Sequence, residues 1–209
     1  MEENLKVEVI AQNGTTIYFD PFRLKTESHD ADVIFITHSH FDHFSPEDIK
    51  MIKNDDTKIV ITSDLYEKTI QLGFDENSIL IVNPNNEYNF AGIYFKTIPA
   101  YNTNKDFHKR EYDWVGYIVE IDDNIIYVAG DTDITEEALD VKCDIAFVPV
   151  GGTYTMTAKE AVELIEHIAP KKYAVPTHYQ TIVGSAKDAT KFKKLLENKT
   201  VVKILMNEG

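Results

Sequence analysis

Apolar and polar positions alternate near the start of the chain, where Leu5, Val7 and Val9 are separated by Lys6 and Glu8. Period-two alternation marks a strand with one buried face. Asn13-Gly14 then supplies a tight-turn dipeptide, and 16–19 returns as an apolar run, so the opening is expected to be a hairpin. The run at 33–36 is continuously apolar, which suits a strand covered on both faces. Further strands are expected at 58–62, 79–82 and 93–98, a second hairpin at 115–121 and 125–129 across a turn at 122–124, and last strands at 145–150, 172–175 and 201–205.

Helical signals fall between these runs. Ser45-Pro46-Glu47-Asp48 places a capping hydroxyl, a first-turn proline and acidic residues in order. A second helix is expected over 64–72. Thr157-Ala158-Lys159-Glu160 is a capping box, followed by Ala161, Val162, Leu164, Ile165 and Ile168 at helical spacing, with Pro170 to end the element. A last helix opens at 185–188 and carries Phe192, Leu195 and Leu196 on one face. The strands thus come in two sets, each with helices to cover its outer face. That pattern predicts an α/β (α+β) four-layer αββα sandwich, and it also permits an open α/β sheet. No linker or repeat interrupts 1–209, so one domain is expected.

Composition narrows the class. A formal net charge of -14 repels phosphate backbones, so no nucleic-acid partner is expected without a local basic patch, and solubility is the plain account of the charge. No apolar stretch is long enough to span a bilayer, and the acidic start lacks the form of a secretory signal. Cys143 is the only cysteine, so no intrachain disulfide forms and a cytoplasmic location is expected.

The chemistry concentrates in Ile36-Thr37-His38-Ser39-His40-Phe41-Asp42-His43-Phe44. An apolar strand ends there and four metal-competent side chains follow. Three of the chain's seven histidines lie in this one segment, which makes chance clustering a poor account. Alternation aims His38, His40 and Asp42 to one side of an extended chain, while His43, just before the Ser45 cap, points back from another angle. Imidazole and carboxylate together suit Zn2+, one or two ions, with Mn2+ or Fe2+ also compatible.

His-x-His-x-Asp-His after a buried strand resembles the metallo-β-lactamase superfamily. Gly130-Asp131-Thr132 after the strand at 125–129 and Pro176-Thr177-His178 after another strand are similar to its later motifs. The branch resembled holds ascorbate-6-phosphate lactonases, N-acyl-phosphatidylethanolamine phospholipase D and many uncharacterised hydrolases. The resemblance implies the four-layer fold and a hydrolase. It assigns His38 and His40 to one metal and Asp42, His43 and His178 to the other, with Asp131 bridging. It also implies that a metal-bound hydroxide attacks a carbonyl or phosphoryl centre of a small ester, lactone or phosphodiester, so the catalytic set includes Asp42 and Asp131. One departure stands out. Where a further histidine is expected for the first metal, the chain reads Pro99-Ala100-Tyr101-Asn102, and the only histidine in the interval is His108. Either His108 reaches in as ligand or proton donor, or the Asn102 amide oxygen binds weakly, or the site is incomplete; His108 is the favoured choice.

Other residues carry two readings each. Asp20 orients a metal-binding histidine or is a turn carboxylate. Tyr154, in the glycine-led loop after 145–150, donates to an oxyanion or merely joins strand to helix. Lys105, His108, Lys109 and Arg110 form a basic stretch between Asn102 and Asp113 that holds an anionic substrate group, with Asn102 beside it, or is a solvated loop. His29 and His167 are expected at the surface, and Cys143 as a small buried hydrophobe. Competing functions are a nuclease, disfavoured by charge; a redox diiron protein, disfavoured by His40; and a non-enzymatic metal-binding or sensor protein that retains the fold.

Overall fold

The two faces of each strand meet different layers, and the side chains sort accordingly. In the computed structural model, which describes residues 5–180 and 182–205, β1 (Leu5–Ile10), β2 (Thr16–Phe22), β3 (Ala31–Phe35), β4 (Lys53–Thr62) and β5 (Ile79–Val82) form a five-stranded sheet in that order. β6 (Glu87–Phe90), β7 (Ile93–Pro99), β8 (Val115–Ile121), β9 (Asn124–Val128), β10 (Ile145–Pro149) and β11 (Tyr173–Thr177) form a six-stranded sheet, again ordered as in the chain. Only β1–β2 is antiparallel in the first sheet. In the second, β6 to β9 are an antiparallel meander, and β9, β10 and β11 run parallel. Residues 1–4, on whose acidic character the expectation about a secretory signal partly rested, lie outside the described residues.

Ile17, Phe19, Val33, Phe35 and Val60 face the opposite sheet, where Phe95, Val115, Tyr117, Val119, Val128 and Phe147 meet them. Phe35 sits among rings at 5.0 Å (Phe19), 4.9 Å (Phe95) and 5.1 Å (Tyr117). The Tyr117 hydroxyl donates to the Ile36 carbonyl at 2.7 Å, which satisfies both groups in the dry interior and pins the second sheet to the end of β3. The intervening residues turn outward. Tyr18, Ile34, Ile36, Ile59 and Ile61 pack under α1 (Pro46–Ile52) with Ile49 and Ile52, and with Leu65 ahead of α2 (Tyr66–Gln71). On the far side Tyr127, Ala146, Val148 and Ala174 pack with Ala161, Leu164 and Ile165 of α4 (Ala158–Ile168) and Phe192 of α5 (Ala186–Leu195). The result is the αββα order expected from the sequence.

The caps behave as their chemistry dictates. Ser45 Oγ accepts from the Asp48 N–H, and Thr157 and Glu160 exchange both capping-box bonds, at 3.3 and 2.7 Å. α4 ends on Ala169 in the left-handed region, just ahead of Pro170. Three differences from expectation have local causes. β6 is an edge strand carrying Glu87 and Asn89, so it lacks an apolar signature. α3 (Glu136–Leu139) is too short to display a helical period, although Thr135 caps it. The segment 201–205 is not a strand: it follows α5 past the β11 edge and makes one bridge, Val202 to Ala174, with Val201 exposed.

Phe35 fills the middle of the inter-sheet layer, so Phe35→Ala should lower unfolding free energy by about 3–5 kcal/mol. Urea titration followed by circular dichroism measures this; an unchanged midpoint would show that the layer collapses around the loss.

Candidate metal centre

Strand ends bring the chemistry together. The motif 38–43 follows β3, Asp131 follows β9, His178 follows β11, and His108 comes from the loop between β7 and β8. Two glycines make the approach possible. Gly130 has φ +65°, and a Cβ there would lie 3.0 Å from Thr37 Cβ and 3.2 Å from the Val115 oxygen, so the residue before Asp131 passes tightly over the motif. A Cβ on Gly151 would lie 2.3 Å from the His178 carbonyl oxygen, which fixes how close that segment runs. His178 itself has φ +51°, a strained conformation that its surroundings must hold.

Two groups of donor atoms result: His38, His40, His108 and Asp131, and beside them Asp42, His43 and His178. His38 Nε2 and His40 Nδ1 are 3.1 Å apart. Asp131 Oδ2 is 3.2 Å from His108 Nε2 and 3.1 Å from His178 Nε2, and Oδ1 is 3.3 Å from His43 Nε2. His178 Nε2 is 3.3 Å from Asp42 Oδ2. A tetrahedral ion with bonds of about 2 Å holds neighbouring donors about 3.3 Å apart, so the spacing suits cations among these atoms. A second observation agrees: His43 Nε2, His108 Nε2 and Asp131 Oδ1 are buried without a hydrogen-bond partner. Buried polar atoms left in this way call for an unseen partner, and a cation provides one for all three.

Behind the donors lies a second set of contacts. Asp20 accepts from the Thr37 N–H at 2.8 Å and hydroxyl at 2.7 Å, and its Oδ2 is 2.8 Å from His43 Nδ1. The Thr37 hydroxyl thereby has its lone pairs turned to His38 Nδ1, 3.0 Å away. Both imidazoles are thus held through Nδ1 with Nε2 directed at the centre, which is the orienting arrangement considered for Asp20. Trp114 lies against His38 and His40, with centroids at 4.9 and 4.8 Å, and donates its indole N–H to Asp64, which also accepts from Thr62.

Burial and charge act in opposite directions here. Burial holds His38 and His40 below the usual imidazole range, and neighbouring imidazoles push the same way. For His178 burial is outweighed by Asp131 and Asp42, which lift it to about 9. His43 is likewise raised against burial, by Asp131 and Asp20. Burial alone would raise Asp131, but His178 and His43 hold it well below the carboxylate range.

His38, His40, Asp42, His43, Asp131 and His178 are therefore brought together, and His108 joins them. Asn102 is buried with both amide atoms engaged elsewhere: Nδ2 donates to the Tyr154 carbonyl, and Oδ1 faces His108. The Tyr154 ring stands edge-on to Phe107 at 4.7 Å. The basic stretch is largely neutralised, since Lys105 pairs with Asp133 at 2.5 Å and Arg110 with Glu137 at 2.6 Å. Lys109 is exposed and has no ion pair among the described residues. His29 and His167 are exposed, and Cys143 is buried with its thiol pushed up to about 12 by that burial. The supporting contacts of Thr37, Asp64 and Trp114 were not anticipated: Thr37 stands beside the motif, whereas Asp64 and Trp114 come from distant stretches that carry no local signal of those contacts.

Comparison with known proteins agrees with this geometry. Residues 9–178 match the family described as beta-lactamase superfamily domain. A UPF0173 metal-dependent hydrolase of Thermococcus kodakarensis is 31% identical over 94% of this chain and 91% of its own. The crystal structure of a putative metal-dependent hydrolase from Parabacteroides distasonis is 26% identical, with a TM-score of 0.75 over 95% of this chain and 97% of that one. A diiron beta-hydroxylase from Streptomyces venezuelae shares the fold, with a TM-score of 0.74 at 13% identity over 98% of this chain and 53% of its own. The chain belongs to the metallo-β-lactamase superfamily. Within it, the protein is a metal-dependent hydrolase.

Because Asp20 fixes both Thr37 and His43, Asp20→Asn should weaken metal binding about 10–100-fold. Competition with a chromogenic chelator measures it, and wild-type affinity in the folded variant would detach Asp20 from the centre.

Proposed function

We propose that the two donor groups hold two zinc ions and that the protein hydrolyses a small ester, lactone or phosphodiester carrying an anionic group. The observation that supports this most directly is the Asp131 carboxylate, within 3.1–3.3 Å of imidazoles from both groups. In this reading His38, His40 and His108 share one ion with Asp131, and Asp42, His43 and His178 share the other. Imidazole-rich sets with few carboxylates favour zinc over magnesium or calcium. Bound there, the ions supply Lewis acidity and a nucleophile available near neutral pH.

The chain's own groups do the rest. Neutral imidazoles at His38 and His40 present lone pairs, and burial keeps them neutral. Asp42 and Asp131 bring negative charge that offsets the cations and, once a substrate is bound, orient its reacting centre between the two groups. The Tyr154 hydroxyl, in the loop that follows β10, is the proposed donor to a developing oxyanion. Lys109 is the proposed contact for the substrate's anionic group, because Arg110 is already matched by Glu137. Among the described residues no helix is long and apolar enough to cross a membrane. A small molecule as substrate, the cytoplasm as compartment and one domain over 1–209 complete the proposal; the lone thiol needs no oxidising environment.

Two outcomes test it. Asp131→Ala should lose at least one equivalent of metal by elemental analysis and abolish hydrolysis of chromogenic ester, lactone and phosphodiester substrates, whereas full content and full activity would reject the bridging role. Lys109→Ala should raise KM for an anionic substrate several-fold with kcat little changed, because binding lost equally from ground and transition states appears in KM. Arg110→Ala should do so less, and equal effects of Lys109→Ala on anionic and neutral analogues would dismiss the anion contact.

A further inference from the structure

The residue that stands where a ligand was expected has a different task. Asn102 Oδ1 accepts the backbone N–H of His108 at 3.0 Å and lies 3.2 Å from His108 Nδ1. Its Nδ2 donates to the Tyr154 carbonyl at 2.9 Å. The loop closes on itself as well, since the Asn102 N–H donates to the His108 carbonyl at 2.7 Å.

Which way the amide faces is decided by backbone groups that cannot change role. Turned over, its NH2 would meet the His108 N–H donor and its oxygen would meet the Tyr154 carbonyl acceptor, two repulsive contacts in a buried place. The oxygen therefore faces His108. An amide oxygen only accepts, so the hydrogen bond to the ring requires a proton on Nδ1. A neutral ring protonated there has a lone pair on Nε2, and that atom is the buried, unpartnered one 3.2 Å from Asp131 Oδ2. A lone pair facing a carboxylate oxygen is repulsive unless a metal ion or a proton lies between them, and the metal is the partner that the neighbouring donors His38 and His40 can share.

We infer that Asn102 is a positioning residue: it locks His108 in the Nδ1–H tautomer, with Nε2 turned to the metal, and ties the His108 loop to the Tyr154 loop. This rests on the proposed reading of His108 as a ligand. The asparagine is thus the second contact of a histidine displaced by six positions, and the ligand set is complete without an amide donor. Replacing Asn102 with histidine would remove the acceptor for His108 without adding a ligand in its place.

The tautomer is measurable in the wild-type protein loaded with zinc, by nitrogen-15 NMR of labelled histidine. His108 should show a protonated Nδ1 and a metal-shifted Nε2; a proton on Nε2 would overturn the inference. Among variants, Asn102→Ala should weaken binding of one of the two zinc ions about 10–100-fold in chelator competition. Asn102→Asp keeps the acceptor for His108 but turns its other oxygen on the Tyr154 carbonyl, so it should recover only part of that loss. Unchanged zinc affinity in Asn102→Ala would overturn the positioning role, and if Asn102→Ala fails to fold the tautomer measurement decides alone. His108→Ala separates the layers: two ions held with wild-type affinity would remove the ligand reading itself, whereas loss of one ion with no effect of Asn102→Ala would remove only the role of Asn102.

Discussion

A carboxylate buried almost completely from water is costly unless its charge is met, and Asp131 is such a carboxylate. Three imidazoles meet it, from His43, His108 and His178, and they come from three separate stretches of chain. Every larger feature serves that convergence. β3, β9 and β11 end on the same side of the sandwich, the Tyr117 hydroxyl fastens β8 to Ile36, two residues before His38, and Gly130 admits the backbone that carries the carboxylate. Negative charge in the pocket also sets the protonation of its neighbours, holding His178 up near 9 while the carboxylate stays ionised. Such a pocket is arranged for cations.

The histidines of 38–43 follow β3, and His178 follows β11. His108 lies in a loop, yet it is as buried as His38. Its loop is fastened to the segment after Asp131. The Thr132 hydroxyl contacts both the N–H and the carbonyl of Tyr101, Asp133 accepts from the Thr103 N–H, and Lys105 closes on the same carboxylate. Asp131 and His108 are thereby built into one body. Precision at a metal site depends on such supporting contacts as much as on the donors.

Much of this was legible in the sequence because it was local. Alternation and apolar runs marked ten of the eleven strands among the described residues, with Glu87–Phe90 escaping because an edge strand with polar side chains carries no apolar period. The run 201–205 has the composition of a strand but only one pairing position beside β11. The motif at 38–43 announced itself by density, and counting histidines led to His108. What remained hidden were pairings across the fold. Asp133 and Glu137 neutralise Lys105 and Arg110 from 28 and 27 residues away, so a stretch that is basic as a sequence is nearly balanced as a surface. The partners of Asn102 were hidden for the same reason: they include Tyr154, 52 positions later.

Trp114 carries an optical consequence. It is the only tryptophan in the chain, it is shielded from solvent, and its indole ring stands within 5 Å, centroid to centroid, of both His38 and His40. Its N–H is held by Asp64, so the chromophore has one fixed orientation. Tryptophan emission from this protein therefore originates beside His38 and His40. Open-shell ions placed there would quench it and zinc would not, so the protein's own luminescence would be a spectral label for whatever ion the group of His38, His40, His108 and Asp131 takes up.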